Sequence, residues 1–176
     1  MGQYWKLVNL DKREYVHPHE LGSGLKLWEQ LANHPGTGAA LIILCAAMPE
    51  ARGGGDFHME TGDPEYDEIA KRTIGRWAGD RIALVGDYAE RDDLPAEFNA
   101  DLIYALCNPV EEVQDTIDYC KGEGKKYGLE EQGRRLEQEL RAKGVYKDIT
   151  DDVCRVIEHE LEGEFVGEGW RDFVRS

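Results

Sequence analysis

The fold follows first from the stretch YWKLVNLDKREYVHP, residues 4–18. Residues 4–9 and 14–17 are rich in aromatic and β-branched side chains, and the polar residues 10–13 separate them. This pattern predicts two strands joined by a turn. Pro18 ends the second strand, because proline has no amide hydrogen to donate to a ladder. We therefore expect a β-hairpin at the start of the chain.

Helical patterns follow the hairpin. Apolar residues recur at helical spacing over 25–32 and predict an amphipathic helix. The apolar segment 38–47 fits either a buried helix or a buried strand, and its alanines favour a helix. Asp63 followed by Pro64 combines an N-cap with a proline at the first helical position, which predicts a short helix over 64–72.

The second half continues the mixture of strands and helices. Residues 81–86 predict a third strand, and 90–99 are expected to form a loop. The segment 108–111 has the form of a capping box and predicts the start of a helix. A short strand over 146–149 precedes Thr150, which is expected to cap the last helix. These elements predict an α+β fold: a small sheet with an N-terminal hairpin, packed by helices.

Residues 109–144 differ in composition from the rest of the chain. They hold nine acidic and seven basic residues and only a thin apolar stripe, with glycines dividing two helical segments and Gly144 closing the second. We interpret them as a charged helical-hairpin insertion, laid on the outside of the domain or serving as a partner-binding arm. No linker divides the chain, so 1–176 is expected to be a single domain whose core comes from 1–108 and 145–176.

The charge balance bounds the kinds of partner. The 176 residues include 36 acidic and 21 basic residues, a formal net charge of −15. Such a surface repels phosphate backbones and anionic lipids, which excludes general nucleic-acid binding and membrane binding and favours a basic protein partner. The longest apolar run, 39–48, is about half of the ~20 residues needed to cross a bilayer. The start of the chain lacks signal-peptide features, so we expect a cytoplasmic protein.

Several motifs together resemble a known family. They are the opening MGQYWKLVNLDKREYVHPHELGSGLKLWE, then RGGGD, GRWAGDRIALVGDY and YKDITDDV, in that order. The chain is similar in these stretches to a family of small bacterial and phage-encoded proteins of uncharacterised function. The resemblance implies a bacterial or phage origin. It carries no catalytic residue over to this sequence.

One constellation has the residue types of a metal site. His17 and His19 flank a proline that extends the backbone, so both side chains would project to one side. Asp56 and His58 would do the same in an extended segment. If the two pairs meet, they form a nitrogen and oxygen site for a divalent cation such as zinc or manganese. The alternative is that the histidines are turn residues and Asp56 ends a glycine loop.

Two loops are candidate binding elements. Arg52, Gly53, Gly54 and Gly55 could cradle a phosphate through backbone amides, although the segment lacks the Lys-Ser/Thr ending of a P-loop. The alternative is a flexible glycine loop without a ligand.

The loop that follows the third strand is the second binding element. It begins with Asp87 and Tyr88, and residues that follow a strand often form sites. Tyr88 is the candidate ligand contact. Asp87 would be the general base if the protein is an enzyme. The alternative is that Asp87 is a turn residue that bonds its own backbone.

Two functions are compatible with these patterns. The first is a non-enzymatic, acidic interaction or regulatory protein that binds a protein or small-molecule partner. The second is a small metal-dependent hydrolase with His17, His19, Asp56 and His58 as ligands and Asp87 as base. The acidic surface and the charged hairpin favour the first.

Overall fold

The computed structural model describes residues 3–22, 24, 26–32, 36–47, 57 and 60–163. The strands are β1 (Trp5–Asn9), β2 (Glu14–Val16), β3 (Ile82–Gly86) and β4 (Lys147–Asp148). The helices are α1 (Leu27–Ala32), α2 (Gly36–Cys45), α3 (Pro64–Thr73), α4 (Ala100–Leu106), α5 (Val110–Lys121), α6 (Glu130–Lys143) and α7 (Thr150–Gly163). This is the expected α+β fold.

The four strands form one sheet in the order β3-β1-β2-β4. β1 pairs antiparallel with both β2 and β3, and β2 pairs parallel with β4. The predicted hairpin is confirmed. Its turn is held by Asn9, whose Oδ1 accepts the backbone amides of Asp11 at 3.0 Å and Lys12 at 2.8 Å. The sheet therefore has β3 at one edge.

Each face of the sheet is covered by its own group of helices. Leu7 and Val16 are opposite each other and pack with α2, α3 and α7. Val8, Tyr15 and Val85 lie on the other face and pack with α4, α5 and α6. Side chains alternate between the two faces of a strand, so the hairpin contributes to both clusters. The result is a sheet between two helical layers.

α2 settles the ambiguity over the apolar segment: it is a helix, as its alanines favoured. Its last turn is tied to the loop after α3. The Gly75 amide donates to the Ile43 carbonyl at 2.8 Å, and the Trp77 amide donates to the Leu44 carbonyl at 2.7 Å. These bonds satisfy carbonyls that a helix end leaves without intrahelical partners. The cap at α3 is confirmed, since the Asp63 carboxylate accepts the amide of Glu65 at 3.0 Å.

The expected loop at 90–99 is partly ordered into 3₁₀ turns, at Arg91–Asp93 and Ala96–Phe98. The first turn forms because Glu90 and Asp93 make a reciprocal capping box. α4 follows at once and was not anticipated from the sequence. This region is therefore a structured connection.

The capping box expected at 108–111 is wrong in its details. Pro109 stands at the N-cap of α5 and makes no side-chain cap. Asn108 instead closes the preceding helix, since its Nδ2 donates to the carbonyls of Tyr104 at 3.2 Å and Ala105 at 2.9 Å. The Asn108 side chain bonds carbonyls at the end of α4 and so does not cap α5.

α5 and α6 form the predicted helical hairpin. Its inner side carries Val113, Ile117 and Leu136, all buried against the sheet face that holds Val8. Gly133 allows the two helices to approach closely, because a Cβ there would lie 2.8 Å from Cys120 Cβ. The hairpin thus contributes to the hydrophobic core as well as to the charged surface.

The strand and the helix expected at the end of the described chain are both present: β4 is a two-residue strand, and α7 starts at Thr150. The expected cap is wrong, because Thr150 is the first residue of the helix and its hydroxyl donates to Asp148 Oδ1 and accepts the His17 amide. The aromatic residues Trp170 and Phe173 lie outside the described residues. None of the helices in the described ranges combines the length and the apolar character that a membrane span requires.

Candidate functional site

A groove of about 500 Å³ runs along β3, the edge strand. Apolar side chains form its floor: Trp5, Leu84 and Leu94. Tyr88 and the carboxylate residues Glu90 and Asp93 form part of its lining from the connection that follows β3. Leu84 leaves 38% of its surface exposed and Tyr88 leaves 60%, so both are available to a ligand. Grooves with an apolar floor and a few polar groups are the usual form of a binding site.

The end of the groove is fixed by paired bonds between Tyr4 and Asp87. The Tyr4 amide donates to Asp87 Oδ1 at 3.0 Å, and the Asp87 amide donates to the Tyr4 carbonyl at 3.0 Å. The Ala89 amide then donates to the Gly86 carbonyl at 3.1 Å and turns the chain away from the sheet. The Gln3 side chain lies over Gly86, and its amide nitrogen would be 2.1 Å from a Cβ at that position.

The charged residues among the described lining of the groove are all acidic. Its lining includes Glu90 and Asp93 and, within the described part of the chain, no lysine or arginine. Asp93 is held in place because its Oδ2 accepts the Glu90 amide at 2.8 Å. Arg81, at the start of β3, is occupied elsewhere: its guanidinium bonds Asp11 and Glu97. The groove therefore combines apolar surface with unneutralised negative charge.

Of the two candidates from the strand-end loop, Tyr88 lines this groove, and Asp87 precedes it in the chain without belonging to the lining. Asp87 is exposed, and its carboxylate is engaged by the Tyr4 amide. Tyr88 belongs to the lining. The anion-loop candidates Arg52, Gly53, Gly54 and Gly55 lie outside the described residues.

The histidine candidates lie apart from the groove lining, after β2. The rings of His17 and His19 are stacked, with centroids 5.9 Å apart and planes at 18°. The His17 amide donates to Thr150 Oγ1 at 2.8 Å, while its Nδ1 is buried and bonds no described residue. Burial lowers the pKa of His17, and the charge of Lys6 adds to this.

The other two proposed ligands, Asp56 and His58, lie outside the described residues. Within the ranges that the structure describes, no three His, Cys, Asp or Glu side chains are grouped closely enough to hold a metal ion. The structure therefore brings His17 and His19 together and leaves the rest of that site a prediction.

Lys6 is a buried cation that the sequence patterns did not indicate. Its ammonium donates to the Cys107 carbonyl and to Asn108 Oδ1, and it lies 4.9 Å from the ring centroid of Tyr15 and 5.0 Å from that of Tyr104. Burial lowers the pKa of this lysine. The sequence signal was its position in the strand: Lys6 alternates with Trp5 and Leu7 and so faces the second cluster. Lys6 ties the end of α4 to the sheet and is closed to solvent.

No family model, curated protein sequence or solved structure matches this chain. The groove and the charge of the surface are therefore the features that bear on function, and the resemblance to bacterial and phage proteins stays a prediction.

Proposed function

We propose that the protein is a non-enzymatic interaction protein that binds a basic segment of a partner protein in the cytoplasm. The observation that carries the proposal is the groove along β3, where an apolar floor at Trp5 and Leu84 meets the carboxylates of Glu90 and Asp93 with no cation among the described lining residues. Positive charge on a partner would be attracted to this groove, and apolar side chains would be buried on its floor.

The charges on the rest of the surface also favour a basic partner. In the α5–α6 hairpin, every basic residue pairs with a carboxylate: Lys121, Lys125, Lys126, Arg134, Arg135, Arg141 and Lys143. The outer side of α5 keeps exposed acids, including Glu111 and Asp115, for which the described residues provide no ion pair. The cations are thus neutralised internally, and the acidic surplus faces solvent.

The hairpin remains the second proposed contact surface for a partner. Deleting it would uncover Val8 and the other core residues that Val113, Ile117 and Leu136 cover. Surface substitutions that leave the core intact therefore test the function more cleanly than truncation.

The test uses a defined probe, a peptide of alternating lysine and valine of roughly six residues, the usual length of a strand. A peptide of alternating glutamate and valine is the charge control. We expect the lysine peptide to bind in a fluorescence titration at low salt, to weaken as salt is raised, and the glutamate peptide not to bind. Equal binding of both peptides would overturn the role of charge.

A matched pair of variants locates the binding. Glu90→Gln with Asp93→Asn removes the groove charges, and the asparagine keeps an oxygen to accept the Glu90 amide. Glu68→Gln with Glu158→Gln removes the same charge from exposed positions on α3 and α7, outside both the groove lining and the α5–α6 hairpin. We expect the first pair to weaken binding of the lysine peptide and the second to leave it nearly unchanged. Equal weakening by both pairs would mean that the peptide responds to net charge alone.

A metal-dependent hydrolase is the second candidate, favoured by one observation: the buried Nδ1 of His17 bonds no described residue and lies beside His19. Imidazole nitrogens without partners are available to a divalent cation. Metal analysis of protein purified without a histidine tag tests this candidate. Less than about a tenth of an equivalent of bound transition metal, with no thermal stabilisation by added zinc or manganese, would reject it.

A further inference from the structure

We infer that the segment bound in the groove is an extended strand that adds to the free edge of β3 and continues the sheet. This inference rests on the proposed function and names the binding mode of the same site. The occupant is a basic, apolar stretch of a partner protein, paired through its backbone with β3.

The hydrogen-bond pattern of the ladder leaves one side of β3 without a partner strand among the residues that the structure describes. The amides of Leu10 and Asp87 donate to the carbonyls of Arg81 and Tyr4, which fixes the residues that exchange bonds with β1. By the alternation of an antiparallel ladder, Ala83 and Val85 face β1. The amides and carbonyls of Ile82 and Leu84 must then point outward, where no described backbone group bonds them.

β3 also lacks the features that usually protect an edge strand. Its sequence, IALVG, contains no proline, no lysine and no inward-pointing charge. Natural proteins commonly guard exposed edges with such residues, because an open edge pairs readily with another chain. An apolar, unguarded edge at the floor of a groove is the arrangement used for recognition by strand addition.

The side chains around the edge fit a basic strand. Leu84 lies on the same face as Trp5, and Val85 on the opposite face, so a strand beside β3 would place alternate side chains next to apolar surface. Glu90 and Asp93 lie along the same groove and would meet its lysines or arginines. Charge therefore selects a basic strand, and backbone pairing holds it in register.

The test places N-methyl groups on alternate amides of the lysine–valine peptide. In an added strand, one alternate set of amides donates to β3 and the other faces away. Methylating the set that faces β3 should weaken binding about tenfold or more, since several backbone bonds are lost, and methylating the other set should change it far less.

Two outcomes would overturn the inference, and they are distinguishable. If both methylated peptides bind as well as the parent, the groove binds the peptide without strand pairing, and the proposed function survives. If the parent peptide itself does not bind, the proposed function fails together with the inference. Binding is measured by the same fluorescence titration for all three peptides.

Discussion

Leu7 and Leu84 lie directly opposite each other in the β1–β3 ladder, yet Leu7 is 1% exposed and Leu84 is 38% exposed. The helices on this face cover the centre of the sheet, where Leu7 packs. They leave the edge strand uncovered at Leu84. This difference between two paired leucines defines the floor of the groove, and it makes Leu84 a residue whose exposed surface can serve binding.

Replacing Leu84 should separate binding from stability. We expect Leu84→Ser to weaken binding of the lysine–valine peptide roughly three- to sevenfold, because covering the 38% of the side chain that is exposed would contribute about 0.6–1.1 kcal/mol. Ile42→Ser is the control, since Ile42 is an exposed apolar residue outside the groove. Both variants should lose about 1 kcal/mol of unfolding free energy or less. Unchanged peptide affinity in Leu84→Ser would argue against the groove as the binding surface.

An ion pair between Glu14 and Arg76 holds the start of β2, next to the turn of the hairpin. Glu14 is buried and accepts bonds from Arg76 Nε at 2.8 Å and from Trp77 Nε1 at 2.9 Å. We expect Glu14→Gln to lower the free energy of unfolding at pH 7 by about 1–3 kcal/mol, because it leaves the half-buried Arg76 guanidinium without its carboxylate. Glu65→Gln, in an exposed pair with Arg155, should change it by about 0.5 kcal/mol or less. Equal, small effects in urea unfolding would contradict this account.

The Glu14 carboxylate also makes the free energy of unfolding depend on pH in the acid range. Burial by itself would raise the pKa of Glu14, but the bonds from Arg76 and Trp77 outweigh it and hold the pKa below its ordinary value. The stabilisation is complete above the unfolded pKa of about 4.3 and is lost as the pH falls through the lower folded pKa. The gap in stability between wild type and Glu14→Gln should therefore close in strong acid. A gap that stays constant from pH 7 to acid would show that this carboxyl does not titrate with unfolding.

Lys6 should give a pH dependence of the same sign, but in the alkaline range. Its pKa is lowered in the folded state by burial, so the unfolded chain binds the proton more tightly. Stability contributed at this position should rise as the pH increases from the folded pKa toward the unfolded value of about 10.4. Relative to Lys6→Met, wild type should gain unfolding free energy over this range. Lys147→Met, at an exposed lysine, is the control. Parallel curves for wild type and Lys6→Met would contradict the prediction.

Two glycines in helices should respond oppositely to alanine. At Gly133 a Cβ would meet Cys120 Cβ at 2.8 Å, so Gly133→Ala should destabilise the fold by about 1–3 kcal/mol through overpacking. At Gly38 a Cβ meets no atom within 4 Å, so Gly38→Ala should stabilise it by up to about 1 kcal/mol through helix propensity. Thermal unfolding compares the two. A stabilising Gly133→Ala would show that α5 and α6 are not in close contact there.

Local patterns predicted most of the elements. The hairpin, the cap at Asp63 and the end of α6 at Gly144 each depend on residues adjacent in sequence, whose conformational preferences act locally. The sequence did not predict α4, because its apolar residues Leu102 and Ile103 directly follow a polar connection and the helix extends over less than two turns. A short helix of this kind is stabilised mainly by its tertiary contacts.

The site was less accessible to prediction. Tyr88 was proposed as a ligand contact because it follows a strand, and it does line the groove. The groove itself depends on β3 lying at the sheet edge, which is a matter of strand order between residues far apart in the chain. Lys6 was missed because lysine is seldom buried. That His17 and His19 form a metal site with Asp56 and His58 stays a prediction.

The most direct measurement of the central claim is hydrogen exchange at the backbone amides of β3, followed by NMR with and without the lysine–valine peptide. In the free protein, the Leu84 amide should exchange faster than that of Val85, which bonds β1. At saturating peptide, the Leu84 amide should become protected while Val85 changes little. A Leu84 amide that exchanges equally fast in the free and the saturated protein would contradict strand addition at this edge.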